Sequence, residues 1–248
     1  MLLKKKIISG ETTIGSWITL GHPAICEIMA NAGFDWLTID LEHSSMTLKD
    51  AENLIRVVSL SGTSPLVRLT SINRDQIKRV LDSGAEGLII PMVNSYEDAI
   101  KAVKYSLYPP KGERSFGLAR AHGYGVKFRE HVDYNLMNTV IIVQIEHIDA
   151  LKDLKQILSI KEIDAFMIGP YDLSGSMGIP GEFDNPKFLK VIDKINKIGI
   201  ETKTPNGIHV VEPDIESLDE ATKKYKFIAY SVDTRMLDTS CRSALKRE

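Results

Sequence analysis

The chain has little of several things, and each scarcity removes a class of protein. Its 248 residues include two cysteines, Cys26 and Cys241. They stand far apart and in no metal-ligand spacing, which excludes a disulfide scaffold and fits a reducing, cytoplasmic setting. No apolar run is long enough to span a bilayer, so no membrane partner is expected. Between Lys4-Lys5-Lys6 and Ser9-Gly10-Glu11 only Ile7-Ile8 intervenes, too short a stretch for an export signal. A net charge of −2 gives no electrostatic bias toward nucleic acid or membranes. No Walker A sequence occurs. The stretch Gly175-Ser176-Met177-Gly178-Ile179-Pro180-Gly181 lacks the spacing of a dinucleotide fingerprint and follows no strand directly. It reads instead as a loop whose amides face an anion.

What is present is regular alternation. Strand-like segments at Ile14–Leu20, Trp36–Asp40, Leu66–Leu69, Gly87–Val93, Thr139–Glu146, Ala165–Ile168 and Phe227–Val232 are separated by helix-like ones. An eighth strand falls at Glu201–Lys203 or at Ile208–Val211. Helices are expected at Pro23–Ala32, Leu48–Ser61, Arg74–Asp82 and Tyr96–Tyr105. Repeated strand–helix units pair in parallel with right-handed crossovers. Eight of them in 248 residues predict an α/β fold, a single (β/α)8 TIM barrel forming one domain over 1–248. No composition shift divides the chain. The segment from Tyr108 to about Met137 breaks the rhythm, and a long connection of this kind is functional, packed on a partner, or simply an ordered surface excursion.

The strand ends carry the chemistry. Val140-Ile141-Ile142-Val143-Gln144-Ile145 runs into Glu146, and Ala165-Phe166-Met167-Ile168-Gly169-Pro170-Tyr171 runs into Asp172. An unpaired buried carboxylate is costly, so acids at two neighbouring strand ends point to a hard divalent cation. Helix capping is the plain alternative for either acid alone. Asp40, Glu42 and His43 follow strand two, Arg68 ends strand three and Asp233 ends strand eight. A parallel barrel assembles its site at that face. His43 beside carboxylates is suited to proton transfer. Arg68 within an apolar pattern must face an anion, either a substrate oxygen or Asp40 or Glu42. His22 with Pro23 starts a helix. Lys203 lies on or beside strand seven and is a Schiff-base candidate, with a solvated or ion-paired lysine as the plain alternative.

These residues resemble the metal-dependent 4-hydroxy-2-oxoacid aldolases of the 4-hydroxy-2-oxoheptanedioate (2,4-dihydroxyhept-2-ene-1,7-dioate) aldolase family, in the phosphoenolpyruvate/pyruvate barrel group. The resemblance covers nearly the whole chain. It rests on Ala32-Gly33-Phe34-Asp35-Trp36-Leu37 leading into Asp40-Leu41-Glu42-His43, on Gln144-Ile145-Glu146, and on Ile168-Gly169-Pro170-Tyr171-Asp172-Leu173-Ser174. Tyr108-Pro109-Pro110 with Gly112 and Arg114, and Val232-Asp233-Thr234, add less specific matches. The resemblance implies a class II aldolase that reversibly cleaves a 4-hydroxy-2-oxoacid to pyruvate and an aldehyde. It implies Glu146 and Asp172 as ligands of Mg²⁺, Mn²⁺ or Co²⁺. Arg68 would stabilise the enolate oxygen. His43 would act in base catalysis, oriented by Asp40 or Asp82. Gln144, Gly169, Pro170, Tyr171 and Asp172 would face substrate. A homohexamer is implied as well.

The chain departs from that family at three places. Tyr171 stands where a small residue is usual, Ser115-Phe116-Gly117 where glycine usually comes first, and His209 where an apolar residue usually faces the aldehyde. His209 is therefore expected on the substrate side, favouring hydroxylated aldehydes. A metal-dependent condensing enzyme or acyl-CoA lyase of the same barrel group, and a non-catalytic binding member, are the alternatives. No basic patch for a CoA phosphate is evident, and Glu146, Asp172, Arg68 and His43 are all present.

Overall fold

The computed structural model describes residues 2–245. Eight parallel strands close into a barrel in chain order, with β8 returning to pair with β1. The strands are β1 (Thr13–Ile18), β2 (Trp36–Asp40), β3 (Ser64–Arg68), β4 (Gly87–Ile90), β5 (Val140–Ile145), β6 (Ala165–Ile168), β7 (Asn206–Val210) and β8 (Phe227–Val232). The helices are α1 (Leu3–Ile8), α2 (Pro23–Ala30), α3 (Leu48–Leu60), α4 (Arg74–Asp82), α5 (Tyr96–Ser106), α6 (Phe128–Asn138), α7 (Leu154–Leu158), α8 (Pro170–Ser176), α9 (Pro186–Thr202), α10 (Ile215–Thr222) and α11 (Asp233–Ala244). The (β/α)8 barrel predicted from the alternation is the fold. Among the described residues no helix is long and apolar enough to cross a membrane.

Local sequence explains where the outer helices begin. Thr47 and Asp50 cap α3 reciprocally, and Asn73, Ser95 and Asn185 each accept a backbone N–H at the starts of α4, α5 and α9. Such caps satisfy amides that have no partner within the helix. Apolar stripes on these helices then pack on the outward-facing strand residues in one continuous core.

The lumen holds a second cluster. Trp17, Trp36, Leu66, Ile89, Ile142, Met167 and Phe227 point inward, and Leu3 and Ile7 of α1 join them. Trp36 and Phe227 stack with centroids 4.3 Å apart. Gly15 makes room for that stack, since a Cβ there would stand 2.0 Å from the Trp36 ring. Side chains alternate along a strand, so the next inward positions are fixed. Beyond Trp36 come Thr38 and Asp40, beyond Leu66 comes Arg68, and beyond Ile142 come Gln144 and Glu146. The lumen is thus apolar below and polar at the C-terminal mouth.

Two alternatives left open by the sequence are decided. Strand seven is Asn206–Val210, near the second of the two alternatives. Residues Glu201 and Thr202 belong to α9, and Lys203 caps it in a left-handed conformation with φ 59°. The segment from Tyr108 to Met137 is an ordered excursion with its own small core. A tight turn at Arg120–Gly125 precedes α6. Tyr108 is fully buried there, stacks on Phe116 with centroids 4.7 Å apart, and shares a 2.9 Å hydrogen bond with His122.

Candidate active site

Glu146 leaves the tip of β5 into the mouth of the barrel and is almost wholly buried. Its Oε1 accepts the Met92 N–H at 2.7 Å and its Oε2 accepts from Gln144 Nε2 at 3.1 Å. Met92 reaches it from a left-handed conformation with φ 52°, which costs backbone energy in a residue that is not glycine. Gly169 lies so close that a Cβ would stand 2.7 Å from Glu146 Oε2. Glu146 has no Lys or Arg ion pair among the described residues. Burial pushes its pKa up to about 7; Glu42 and Asp172 add to the rise, while the Met92 bond and Arg68 oppose it.

Arg68 ends β3, two strands away from β5, and is held on three sides. Its Nε and Nη2 donate to Asp40 at 2.8 and 2.6 Å. Its Nη1 pairs with Glu42 Oε2 at 3.3 Å. Its guanidinium carbon lies 4.4 Å from the Trp17 ring centre. Arginine has five N–H donors; two bond Asp40 and Nη1 also faces Glu42 as an ion pair, so at least two remain for an incoming oxygen. Glu42 is also pushed up to about 7, by burial first, with Arg68 opposing and Asp40 and Asp172 adding.

His43 is mostly exposed, and its Nε2 lies 3.8 Å from Glu42 Oε2. Asp40 does not hold the ring, because both of its oxygens serve Arg68 and it accepts the backbone N–H groups of Glu42 and His43. Asp82 closes α4 and is held by Arg114 at 2.6 Å. Within one chain it makes no contact with His43, so any such contact requires a second copy. Asp172 is exposed in the first turn of α8, close enough to raise the pKa of both Glu42 and Glu146. Pro170 occupies the first position of that helix. Tyr171 is exposed and packs edge-on to Phe183, with centroids 4.9 Å apart.

His209 points into the lumen from β7. Its Nε2 lies 3.2 Å from the Ser231 carbonyl, and its ring meets Trp17 edge-on with centroids 5.8 Å apart. Burial pushes its pKa down to about 4. It is therefore neutral at pH 7, and Nε2 is the donor to that carbonyl.

Three other residues prove structural. Asp233 accepts the N–H groups of Thr19 and Leu20 and the Thr19 hydroxyl, tying α11 to the end of β1. His22 caps α2 as expected. Lys203 stands on the N-terminal side of β7, opposite the strand ends that carry the acids, which removes its place in a Schiff-base site. Met92 and Trp17 were not legible as site residues. The only trace of Trp17 in the sequence is its inward register in β1.

Cavity volume does not mark this site. A cavity of about 640 Å³ lies at the other end of the barrel, lined by Lys4, Ile7, Asp164 and Lys203 among others. Nor do three or more His, Cys, Asp or Glu side chains converge tightly enough, among the described residues, to hold a metal alone. Two acids with no cationic partner fit a hard ion that draws further ligands from water and substrate.

A barrel of this form, with acids and an arginine gathered at its mouth, defines a class that comparison makes specific. The model of the HpcH/HpaI aldolase/citrate lyase family matches residues 13–238, and the chain belongs to that family of carbon–carbon lyases. It is 35% identical over 236 residues to 2-keto-3-deoxy-L-rhamnonate aldolase of Escherichia coli K12, covering 94% of this chain and 87% of that one. An HpcH/HpaI aldolase from Desulfitobacterium hafniense superposes with a TM-score of 0.90 at 31% identity, over 99% and 96% of the two chains. A family protein from Burkholderia cenocepacia gives 0.93 at 27%, over 98% and 97%. The chain is an enzyme of the aldehyde-lyase kind; the narrower 4-hydroxy-2-oxoheptanedioate subfamily is not singled out.

Proposed function

We propose that the chain is a class II aldolase that reversibly cleaves a 4-hydroxy-2-oxoacid to pyruvate and an aldehyde. The observation that carries this reading is Glu146: a buried acid, charged at neutral pH only at a cost, with two further acids beside it and no cationic partner. Glu146 and Asp172 would hold a divalent ion such as Mg²⁺, Mn²⁺ or Co²⁺. When bound, that ion supplies Lewis-acid polarisation of the 2-oxo group.

The chain's own groups divide the remaining work. The N–H groups of Tyr171 and Asp172, in the first turn of α8, bind the substrate carboxylate, with Gly169 and Pro170 shaping the approach. The two free N–H donors of Arg68 meet the C2 oxygen as it gains negative charge. His43 removes the proton of the C4 hydroxyl, through water given its exposure. The C3–C4 bond then breaks, the aldehyde leaves, and a proton returned to C3 completes pyruvate. Gln144 holds Glu146 through its amide N–H and keeps a buried, unpartnered Oε1 for a substrate hydroxyl. Asp82 joins His43 only across a subunit boundary. That need, together with the exposed Phe116, Leu118, Tyr124 and Val126, supports a homo-oligomer, proposed here as a hexamer. The unpaired thiols of Cys26 and Cys241 support a cytoplasmic enzyme.

The relatives' named substrate, 2-keto-3-deoxy-L-rhamnonate, supports a hydroxylated aldehyde product. The test is pyruvate release from a panel of 4-hydroxy-2-oxoacids with chelator and with each metal added back. Metal-dependent release from at least one hydroxylated member is expected. No release from any member, or full activity in chelator, overturns the reading. His43→Ala should lose cleavage yet keep deuterium exchange at the pyruvate methyl; unchanged cleavage removes His43 from the mechanism.

A further inference from the structure

The polar mouth of the barrel holds one arrangement that substrate contact does not explain. Asp40 fixes one edge of the Arg68 guanidinium and Glu42 meets Nη1 at 3.3 Å, but both lie at the rim of the group and leave its faces to other neighbours. The face of Trp17, 4.4 Å from the guanidinium carbon, blocks tilting on one side. An indole face attracts a guanidinium, and more strongly away from water. The indole is itself free to turn unless something abuts it, and its Nε1 is buried with no partner. His209 abuts it, edge to face, at 5.8 Å and 67°.

The His209 ring is fixed in turn. Between Gly15 and Trp17 the pairing of β1 with β8 shifts, so that Ala229 and Val232 bracket an extra residue in β8. A bulge of this kind re-aims backbone groups. Ser231 lies in it with φ 50°, an uncommon conformation for a residue other than glycine. Its carbonyl accepts from both His209 Nε2 at 3.2 Å and Ser16 Oγ at 3.3 Å.

We infer that the β8 bulge, His209 and Trp17 form a positioning stack that aims the two free N–H donors of Arg68, and that His209 acts through Trp17 and not by touching substrate. This rests on the reading of Arg68 given above. Histidine suits the place because one ring supplies both an edge for the indole and a donor for the bulge carbonyl. An aliphatic side chain would supply neither.

The test is a set of double-mutant cycles read by pyruvate release, with thermal melts and near-UV circular dichroism on every variant. His209→Ala and Trp17→Leu should each lower kcat on the order of ten- to a hundredfold, the scale of a small misplacement of a reacting group, with KM changed less than about twofold. His209→Phe, which keeps the ring edge, should recover most of that loss. In an Arg68→Lys background neither substitution should cost more than about a further twofold. The tryptophan bands of the near-UV spectrum should weaken in His209→Ala and persist in His209→Phe. Full additivity with Arg68→Lys overturns the proposal, as does a loss confined to KM for particular aldehydes, which would place His209 against substrate. Unchanged activity in Arg68→Lys would instead overturn the reading of Arg68. The near-UV spectra separate that failure from failure of the stack, because they report Trp17 packing whether or not Arg68 is catalytic.

Discussion

Glu146 and Asp164 are both buried acids raised in pKa by burial, at opposite ends of the same barrel. Asp164, just before β6, has what a buried carboxylate needs. Lys4 pairs with it at 3.0 Å, and the Ile141 N–H donates at 2.9 Å. Glu146, just after β5, receives two neutral donors and faces two more acids. The Asp164 carboxylate has its cation within the described chain, whereas Arg68, the cation at the C-terminal mouth, is paired with Asp40 and Glu42 and not with Glu146. A buried acid with a charged partner is explained by the fold, and one without is a candidate for function.

The contrast can be broken by substitution, and the largest effect should be at Glu146. Glu146→Gln keeps the shape and both neighbouring donors' positions but removes the charge. Activity should fall at least about a thousandfold, the scale of losing a central electrostatic group, while the metal-free melting temperature holds or rises. A lower melting temperature would make Glu146 a structural acid like Asp164. Arg68→Lys comes next, with a loss of roughly two to three orders of magnitude in kcat and an intact fold, checked by circular dichroism. Lys4→Met should do the reverse of Glu146→Gln. It strands Asp164 as an uncompensated buried charge, at a cost of about 3 kcal/mol in denaturant unfolding, and leaves kcat within about twofold wherever the protein is folded. A kcat loss with no stability loss would blur the two ends.

The smallest effect is in pH. Glu42 and Glu146 sit near 7 in the folded, metal-free chain, against an ordinary glutamate value of 4.5. Between those values the folded state holds more protons than the unfolded state, so stability falls as pH rises through that window. A divalent cation favours the charged carboxylates and should reverse the fall. The rise in melting temperature caused by Mn²⁺ should therefore be larger at pH 8 than at pH 5.5 in wild type, and flat across that range in Glu146→Gln.

Much of this was legible in the sequence, for physical reasons that also mark the limits. Strict alternation of inward and outward side chains makes a strand end readable, so Asp40, Arg68, Gln144 and Glu146 could be placed at one mouth. The resemblance extended that to Gly169-Pro170-Tyr171-Asp172. Strand seven was ambiguous because Asn206–Val210 carries a glycine and a histidine in place of an apolar run. Lys203 reads as on or beside strand seven, but it ends α9 on the far side of the barrel from the acids. Partners fixed by backbone geometry left no trace: Met92 through a left-handed amide, Trp17 through a face turned to Arg68, Ser231 through a bulge. Asp233 read as one more polar strand end, yet the three bonds it accepts from Thr19 and Leu20 make it a clasp. Asp82 matched a family position but lies against Arg114, a pairing that no spacing along α4 reveals.

The central claim is that Glu146 and Asp172, at the mouth of the barrel, would hold a divalent cation. Titration of the metal-free protein with Mn²⁺, followed by electron paramagnetic resonance of the free ion, tests it most directly. The account predicts one bound Mn²⁺ per chain in wild type, lost in both Glu146→Gln and Asp172→Asn. Equal binding in all three proteins, or no binding in wild type, would contradict it.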